Sequence, residues 1–355
     1  MTFEEARGRF PALQRIAYLN AGTFGPLAQA TIDAVRSQLA HDLDSARAGK
    51  AYFEHVMELR AELSRRVAEL IAVEPENVAL TASTTDGCNI VIGGLGLGPE
   101  DEIVTTTDEH FGLIGPLHVS GAHVVVAAPD PDTILAAVTP RTRLIAISHV
   151  LWTTGDTLPV HELRRHSGLP VLVDGAQSVG AIPVDASGID FYTVSGQKWL
   201  CGPDATGALY VADPDRLRIA RPGFFAQASH EADGTFEPRP GAERFQPNWF
   251  PASSTSGLVA ALGELPEWRF ERSAEQAKRL RERLGSLVEL VTPAVPSTIV
   301  SFRPPGGEEG AAVVERLSSA GVVVRELPGR NLVRASVGWW TSDDDLDRLV
   351  AGLAP

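Results

Sequence analysis

Between residues 78 and 211, apolar residues come in short unbroken runs: NVALT, EIVTTT, AHVVVAA, RLIAIS, PVLVD, DFYTV and TGALYV. A strand wetted on one face alternates apolar with polar residues, whereas runs continuous in Val, Ile and Leu belong to strands covered on both faces. The seven runs predict an α/β layer built on a mostly parallel sheet wrapped by helices. Ahead of it, residues 28–48 and 53–71 place apolar side chains at helical spacing, as in Val56, Leu59, Leu63, Val67, Leu70 and Ile71, and predict two long helices.

From about 220 to 256 the periodicity is lost in RPGFFAQASHEADGTFEPRPGAERFQPNWFPASS, which reads as an irregular connection of a length often tied to function. Beyond it lie a charged helix in EWRFERSAEQAKRLRERLGSLVEL, a strand in STIVSF, a helix in AAVVERLSSA, strands in VVVRE and NLVRAS, and a helix from Ser342. Two units follow: a large one over 18–257, and a small α+β one over 258–355 joined by residues 1–17.

A formal charge of −14 disfavours a phosphate backbone as partner, and no basic tract interleaved with aromatics is present. The opening MTFEEARGRF lacks a signal pattern, and no apolar run reaches the ~20 residues of a membrane span. Two cysteines, Cys88 and Cys201, are too few for a disulfide framework, which fits a reducing cytoplasm.

The chemistry starts from scarcity. Lysine occurs only at positions 50, 198 and 278 among 31 basic residues, and arginine does not surrender its proton, so any imine-forming or proton-shuttling amine is one of these three. Lys278 lies among arginines on a polar helix. Lys50 is expected at a helix C-terminus, where the dipole welcomes a cation. Lys198 instead follows the strand DFYTV in the glycine-containing turn SGQKWLCGP, where strand ends open into a ligand crevice. The strand PVLVD ends in Asp174, an anion that is costly at a buried edge unless a cation meets it. A pyridinium nitrogen is such a cation, and a lysine with an aspartate partner for the ring is how pyridoxal phosphate is held. In LTASTTDG, Ser83, Thr84 and Thr85 precede an apolar helix opened by Asp86, an arrangement that suits a phosphate and equally suits plain N-capping. His110, after EIVTTTDE, is placed to stack on a pyridine ring.

STTDG, DEH, SHVLWTTG, VDGAQSVG and SGQKWLCGPDATGALYV, with LNAGTFGPL before them and LVRASVGWWTSDDDL after, resemble in order and spacing the class V aminotransferase family, the cysteine desulfurase and carbon–sulfur lyase group of fold type I pyridoxal phosphate enzymes. The resemblance implies a seven-stranded large domain and a homodimer with active sites at the interface. It casts Lys198 as the Schiff-base lysine, Asp174 as partner of the ring nitrogen, Gln177 as partner of the phenolic oxygen and His110 as the stacking ring. Thr84, Thr85, Ser195 and Gln197 then hold the phosphate, while Arg334 and Asn20 bind the amino-acid substrate. Departures are visible too. No cysteine follows Cys201, which disfavours persulfide transfer through an enzyme thiol. Gln197 stands where His is common, and the segment 151–154 lacks the frequent Asn. Trp249 falls near a position that often brings Thr to the neighbouring subunit's phosphate, with Asn248 or Ser253 as substitutes. The resemblance implies β-elimination from cysteine, cystine or a related thioether, with transamination or epimerisation as alternatives from the same first step.

Three other motifs invite different chemistry. HELRRH spaces its histidines five apart, too far for two zinc ligands on one helix face, and no metal is expected. GGLGLG has Pro99 where a dinucleotide fold needs its third glycine. AQSVG after PVLVD mimics the nucleophile turn of a serine hydrolase at Ser178, with only His230 downstream to serve it.

Overall fold

The computed structural model describes residues 1–246, 248–291 and 293–354. Helix α1 (Phe3–Gly8), capped by Thr2, leads to a short strand β1 (Ala17–Tyr18), then to α2 (Gln29–Asp44) and α3 (Gly49–Leu70). α3 turns Val56, Leu63, Val67 and Ala68 inward, as its spacing predicts. Its start corrects the reading of Lys50. Gly49 takes φ +79°, so α3 begins there, and Lys50 sits at a helix N-terminus, held by Glu54 one turn on at 2.9 Å.

The seven apolar runs form one sheet. They are β2 (Val78–Thr81), followed by α4 (Thr84–Leu95); β3 (Glu102–Thr106), followed by α5 (Phe111–His118); β4 (His123–Ala127), followed by α6 (Pro131–Ala136); β5 (Thr142–Ser148), followed by α7 (Val160–Ser167); β6 (Val171–Asp174); β7 (Phe191–Ser195); and β8 (Gly207–Val211). Their order is β2-β8-β7-β6-β5-β3-β4, and only β8 runs against its neighbours. β2, β3, β5, β6, β7 and β8 are buried almost throughout because helices lie on both faces. Val104, Ile145, Ile147, Val171 and Val173 meet α3 and α7 on one side, while Ile103, Leu144, Ala146, Leu172 and Leu209 meet α4 and α5 on the other. Each such side chain is worth about 1.5–3 kcal/mol when buried.

The irregular connection holds a small hairpin, β9 (Gln227–His230) with β10 (Phe236–Pro238), before α8 (Ala252–Gly263) packs on α2 and α3. Next come α9 (Arg269–Leu284), β11 (Ile299–Phe302), α10 (Gly310–Ser319), β12 (Val322–Val323), β13 (Arg325–Leu327), β14 (Leu332–Ser336) and α11 (Asp343–Leu353). The run VVVRE therefore splits. β13 joins the antiparallel sheet β11-β14-β13, whereas β12 pairs in parallel with β1. Ala17 and Leu19 complete the core under that sheet, and Asn20 bridges to Ser336. The N-terminal segment is thereby stitched between the two sheets.

Candidate active site

The C-terminal ends of β5, β6 and β7 open on one side of the large sheet, and each delivers a polar residue. β6 ends in Asp174, 4% exposed. Its Oδ1 accepts from the Ala176 N–H at 2.9 Å and from Thr193 Oγ1 at 3.4 Å. Oδ2 has no hydrogen bond among the described residues and is left for a cation.

β7 ends in Ser195, and the chain turns through Lys198, where the half-buried amine feels the Asp174 carboxylate. Desolvation pulls the ammonium down from 10.5 to about 8; Asp174 resists, and Arg334 and Arg325 add to the fall. The turn is tight. Cys201 takes φ +55°, unusual for a residue with a side chain, and its buried thiol is pushed up by loss of water. Gly25 presses on this turn, donating its N–H to Gln197 O at 2.8 Å, and a Cβ there would overlap Lys198 O.

At the N-terminus of α4, Ser83 accepts from Asp86 N–H at 3.1 Å, so the cap is Ser83 and the helix opens at Thr84, two residues before the expected Asp86. The first-turn N–H groups of Thr84 and Thr85 keep an anion-binding aspect. Ser195 Oγ donates to Gln197 Oε1 at 3.0 Å. His110 caps α5, its Nδ1 accepting from Gly112 N–H at 3.1 Å. Because that nitrogen is taken as an acceptor, the ring proton sits on Nε2. Gln177 is fixed at both ends, with Nε2 donating to Gly22 O at 2.9 Å and Oε1 accepting from Trp199 Nε1 at 3.0 Å.

Arg334, on β14, is 1% exposed and so is no solvent-seeking surface arginine. Nη1 donates to Trp152 O at 3.0 Å and Nη2 to Thr23 Oγ1 at 3.2 Å; Nε has no partner, and no bond to a carboxylate exists among the described residues. Burial, and secondarily Arg325, lowers the guanidinium from 12.5 to about 9. Asn20 accepts through Oδ1 from Thr23 Oγ1 at 2.8 Å. The cleft thus gathers Lys198, Asp174, His110 and Arg334 within mutual electrostatic reach.

Four further residues, Thr23, Arg325, Trp152 and Glu109, escaped the sequence reading. Arg325, cross-strand from Arg334, donates to the same Thr23 hydroxyl at 3.1 Å. Trp152 meets the His110 ring edge to face, centroids 5.4 Å apart. Glu109 accepts from Ser148 N–H and Oγ and from Thr106 Oγ1, with desolvation raising its carboxyl to about 7. The signal for Glu109 was present, a carboxylate between a strand end and His110.

The hydrolase reading fails on geometry. Ser178 is fully buried, its Oγ 2.6 Å from Tyr192 OH, whose other partner is His149 Nδ1 at 2.6 Å; His230 lies exposed on β9. No group of three potential metal ligands exists among the described residues, and no helix among them is long and apolar enough to cross a membrane. Lys278 lies on the exposed face of α9 beside Glu282.

The family model described as aminotransferase class-V matches residues 17–349. Isopenicillin N epimerase of Streptomyces clavuligerus is 29% identical over 99% of this chain and 97% of its own length, and a cysteine desulfurase of Klebsiella pneumoniae (strain 342) is 30% identical over 99% and 98%. Among solved structures, the cystine C-S lyase C-DES in complex with its reaction product cysteine persulfide superposes with a TM-score of 0.90 at 28% identity, covering 97% of this chain and 98% of that one. A C-DES lysine-to-alanine mutant with glycine covalently linked to its PLP cofactor gives 0.91, also at 28% identity, covering 98% of each chain.

Proposed function

We propose, from the premise that this chain belongs to the aminotransferase class-V family, that it is a carbon–sulfur lyase for a cystine-like amino acid carrying two carboxylates. It is an enzyme of that family and its cofactor is pyridoxal 5′-phosphate. The residues fit that group: a buried carboxylate with one unpaired oxygen at Asp174, an amine of lowered proton affinity at Lys198, and a helix N-terminus with hydroxyls at Thr84 and Thr85.

When bound, the cofactor supplies an electron sink for the pair left on the substrate α-carbon. The chain supplies the rest. Asp174 would hold the ring nitrogen protonated, and Gln177, fixed by Gly22 and Trp199, would serve the phenolic oxygen. Thr84, Thr85, Ser195 and Gln197 would take the phosphate. Lys198 Nζ, neutral at a lower pH than an ordinary lysine, removes the α-proton and passes it to the departing sulfur. His110, with Nδ1 occupied, would stack on the cofactor ring and donate from Nε2, and is not the base. Arg334 takes the α-carboxylate, and Asn20 lies beside it.

One observation carries the substrate assignment. Two guanidiniums, Arg334 and Arg325, converge on Thr23 with no bond to a carboxylate among the described residues, so the site lacks two negative charges that a dicarboxylate substrate brings. The missing cysteine beyond Cys201 fits release of a small persulfide product over its transfer to an enzyme thiol. Exposed Leu39, Phe53 and Trp249 around a cavity of about 680 Å³ support a homodimer joined at that face. The separate cores under the two sheets support the division at residues 18–257 and 258–355 with 1–17. The reduced, buried Cys88 and Cys201 support a cytoplasmic site of action.

The test is to incubate the holoenzyme with L-cystine, L-cysteine and S-methyl-L-cysteine and to measure pyruvate. Pyruvate released fastest from cystine supports the reading. An oxo acid formed only with an amino acceptor, or inversion at the α-carbon without pyruvate, overturns it in favour of transamination or epimerisation.

A further inference from the structure

Thr23 lies in the N-terminal strap between β1 and α2, a segment fastened on three sides. Ser336 N–H donates to Leu19 O at 2.7 Å, Gln177 Nε2 donates to Gly22 O, and Gly25 N–H donates to Gln197 O. Gly22 lets the strap touch the guanidinium, since a Cβ there would come within 2.8 Å of Arg334 Nη2.

At the centre of the strap, the Thr23 hydroxyl meets three polar groups: Arg334 Nη2 at 3.2 Å, Arg325 Nη1 at 3.1 Å and Asn20 Oδ1 at 2.8 Å. A hydroxyl owns one proton and two lone pairs, and a guanidinium only donates. The assignment is forced: both lone pairs accept from arginines, and the single proton goes to Asn20. Two cations drawing on one oxygen strengthen that last bond. It fixes the Asn20 amide with Oδ1 toward Thr23, leaving Nδ2, which has no partner among the described residues, as a spare donor.

We propose that Thr23 is the positioning residue of the substrate's carboxylate end. It holds two like-charged guanidiniums at a set separation, and it orients the Asn20 amide so that a third donor accompanies them. Nothing in Thr23 touches the reacting carbon; it acts through Arg334, Arg325 and Asn20. A valine of the same shape leaves the two cations facing each other without a shared acceptor and frees the amide to flip. A serine keeps every bond. This rests on the amino-acid reading above.

The test compares holoenzyme of wild type, Thr23→Val and Thr23→Ser. Visible absorbance of the bound cofactor is titrated with glycine, which has one carboxylate, and with L-2-aminoadipate, which has two and no leaving group at its β-carbon. The rate of α-proton exchange of glycine in D₂O is measured at saturation. Thr23→Val is expected to weaken glycine roughly tenfold and aminoadipate more, toward a hundredfold, from the loss of charge-assisted hydrogen bonds. Its exchange rate at saturation stays at the wild-type value, and Thr23→Ser stays within about twofold of wild type throughout. Wild-type affinity for both ligands in Thr23→Val, equal weakness in Thr23→Ser, or a loss confined to the saturated exchange rate each overturns the proposal. The two readings separate because binding needs no turnover. A wild type that binds both ligands yet eliminates nothing from cystine defeats only the lyase assignment, whereas one that eliminates while Thr23→Val binds normally defeats only the role of Thr23.

Discussion

Arg334→Met should make the cofactor-free protein more stable while ruining its hold on amino acids. The guanidinium is 1% exposed, and burial lowers it from 12.5 to about 9. Keeping such a group charged at neutral pH costs the fold about 5 kcal/mol. Its two hydrogen bonds, to Trp152 O and Thr23 Oγ1, offset about 3 kcal/mol of this. Methionine fills similar volume without the charge, so the variant gains about 2 kcal/mol. With an unfolding entropy near 2.1 cal/mol/K per residue, that amounts to a rise of about 3 °C in melting temperature. Against this, loss of a buried bidentate partner for the α-carboxylate costs about 3–4 kcal/mol of affinity, or several hundredfold. Scanning fluorimetry of the apoprotein reads the first effect, and glycine titration of the holoenzyme reads the second. A melting temperature that falls, or glycine affinity that survives, refutes the claim that the fold tolerates an unneutralised cation for the sake of its ligand.

On the proposed role, Lys198 should condense with added cofactor only as the neutral amine. Its ammonium is lowered to about 8, so neutral amine appears at lower pH than on a free lysine: the rate of cofactor loading should climb tenfold per pH step below 8 and flatten above it. Arg334→Met, by removing a neighbouring positive charge, moves the break upward. Stopped-flow absorbance checks both, and a wild-type rate still climbing at pH 10 contradicts the burial argument. Gly25→Ala forces a Cβ onto Lys198 O and within 3.0 Å of Cys201 Cα, and is expected to cost more than about 2 kcal/mol together with most of the turnover. A variant that melts like wild type shows the turn to be more yielding than its packing suggests.

The large sheet was legible because each strand is a run that had to be covered on both faces, and such runs look like little else. The placement of Asp174 and Lys198 was legible because one closes such a run and the other follows one in the next turn. Lys50 misled because α3 starts at Gly49 after Ala48, an N-cap residue with no side-chain hydrogen bond to give, so nothing marked a helix beginning there. The split of VVVRE escaped for a related reason: two adjoining strands of one short run serve different partners, and only pairing with Ala17–Tyr18 separates them. The cluster around Thr23 was the least visible. Thr23 and Arg325 meet across 302 residues, and neither residue type stands out where it occurs. Hydrogen bonds between such distant points leave no local spacing to read.

The pairing of β1 with β12, and of Asn20 with Ser336, also fixes an order of events during synthesis. Lys198 and Asp174 can emerge from the ribosome on a nearly finished sheet, yet Arg334 and the strand that anchors the strap are still untranslated. On the proposed roles, a nascent chain at that stage owns the amine and not the means of selecting what reaches it. Residues 17–20 must wait for their partners at 322–323 and 336, so the strap is fastened only after those residues have been made.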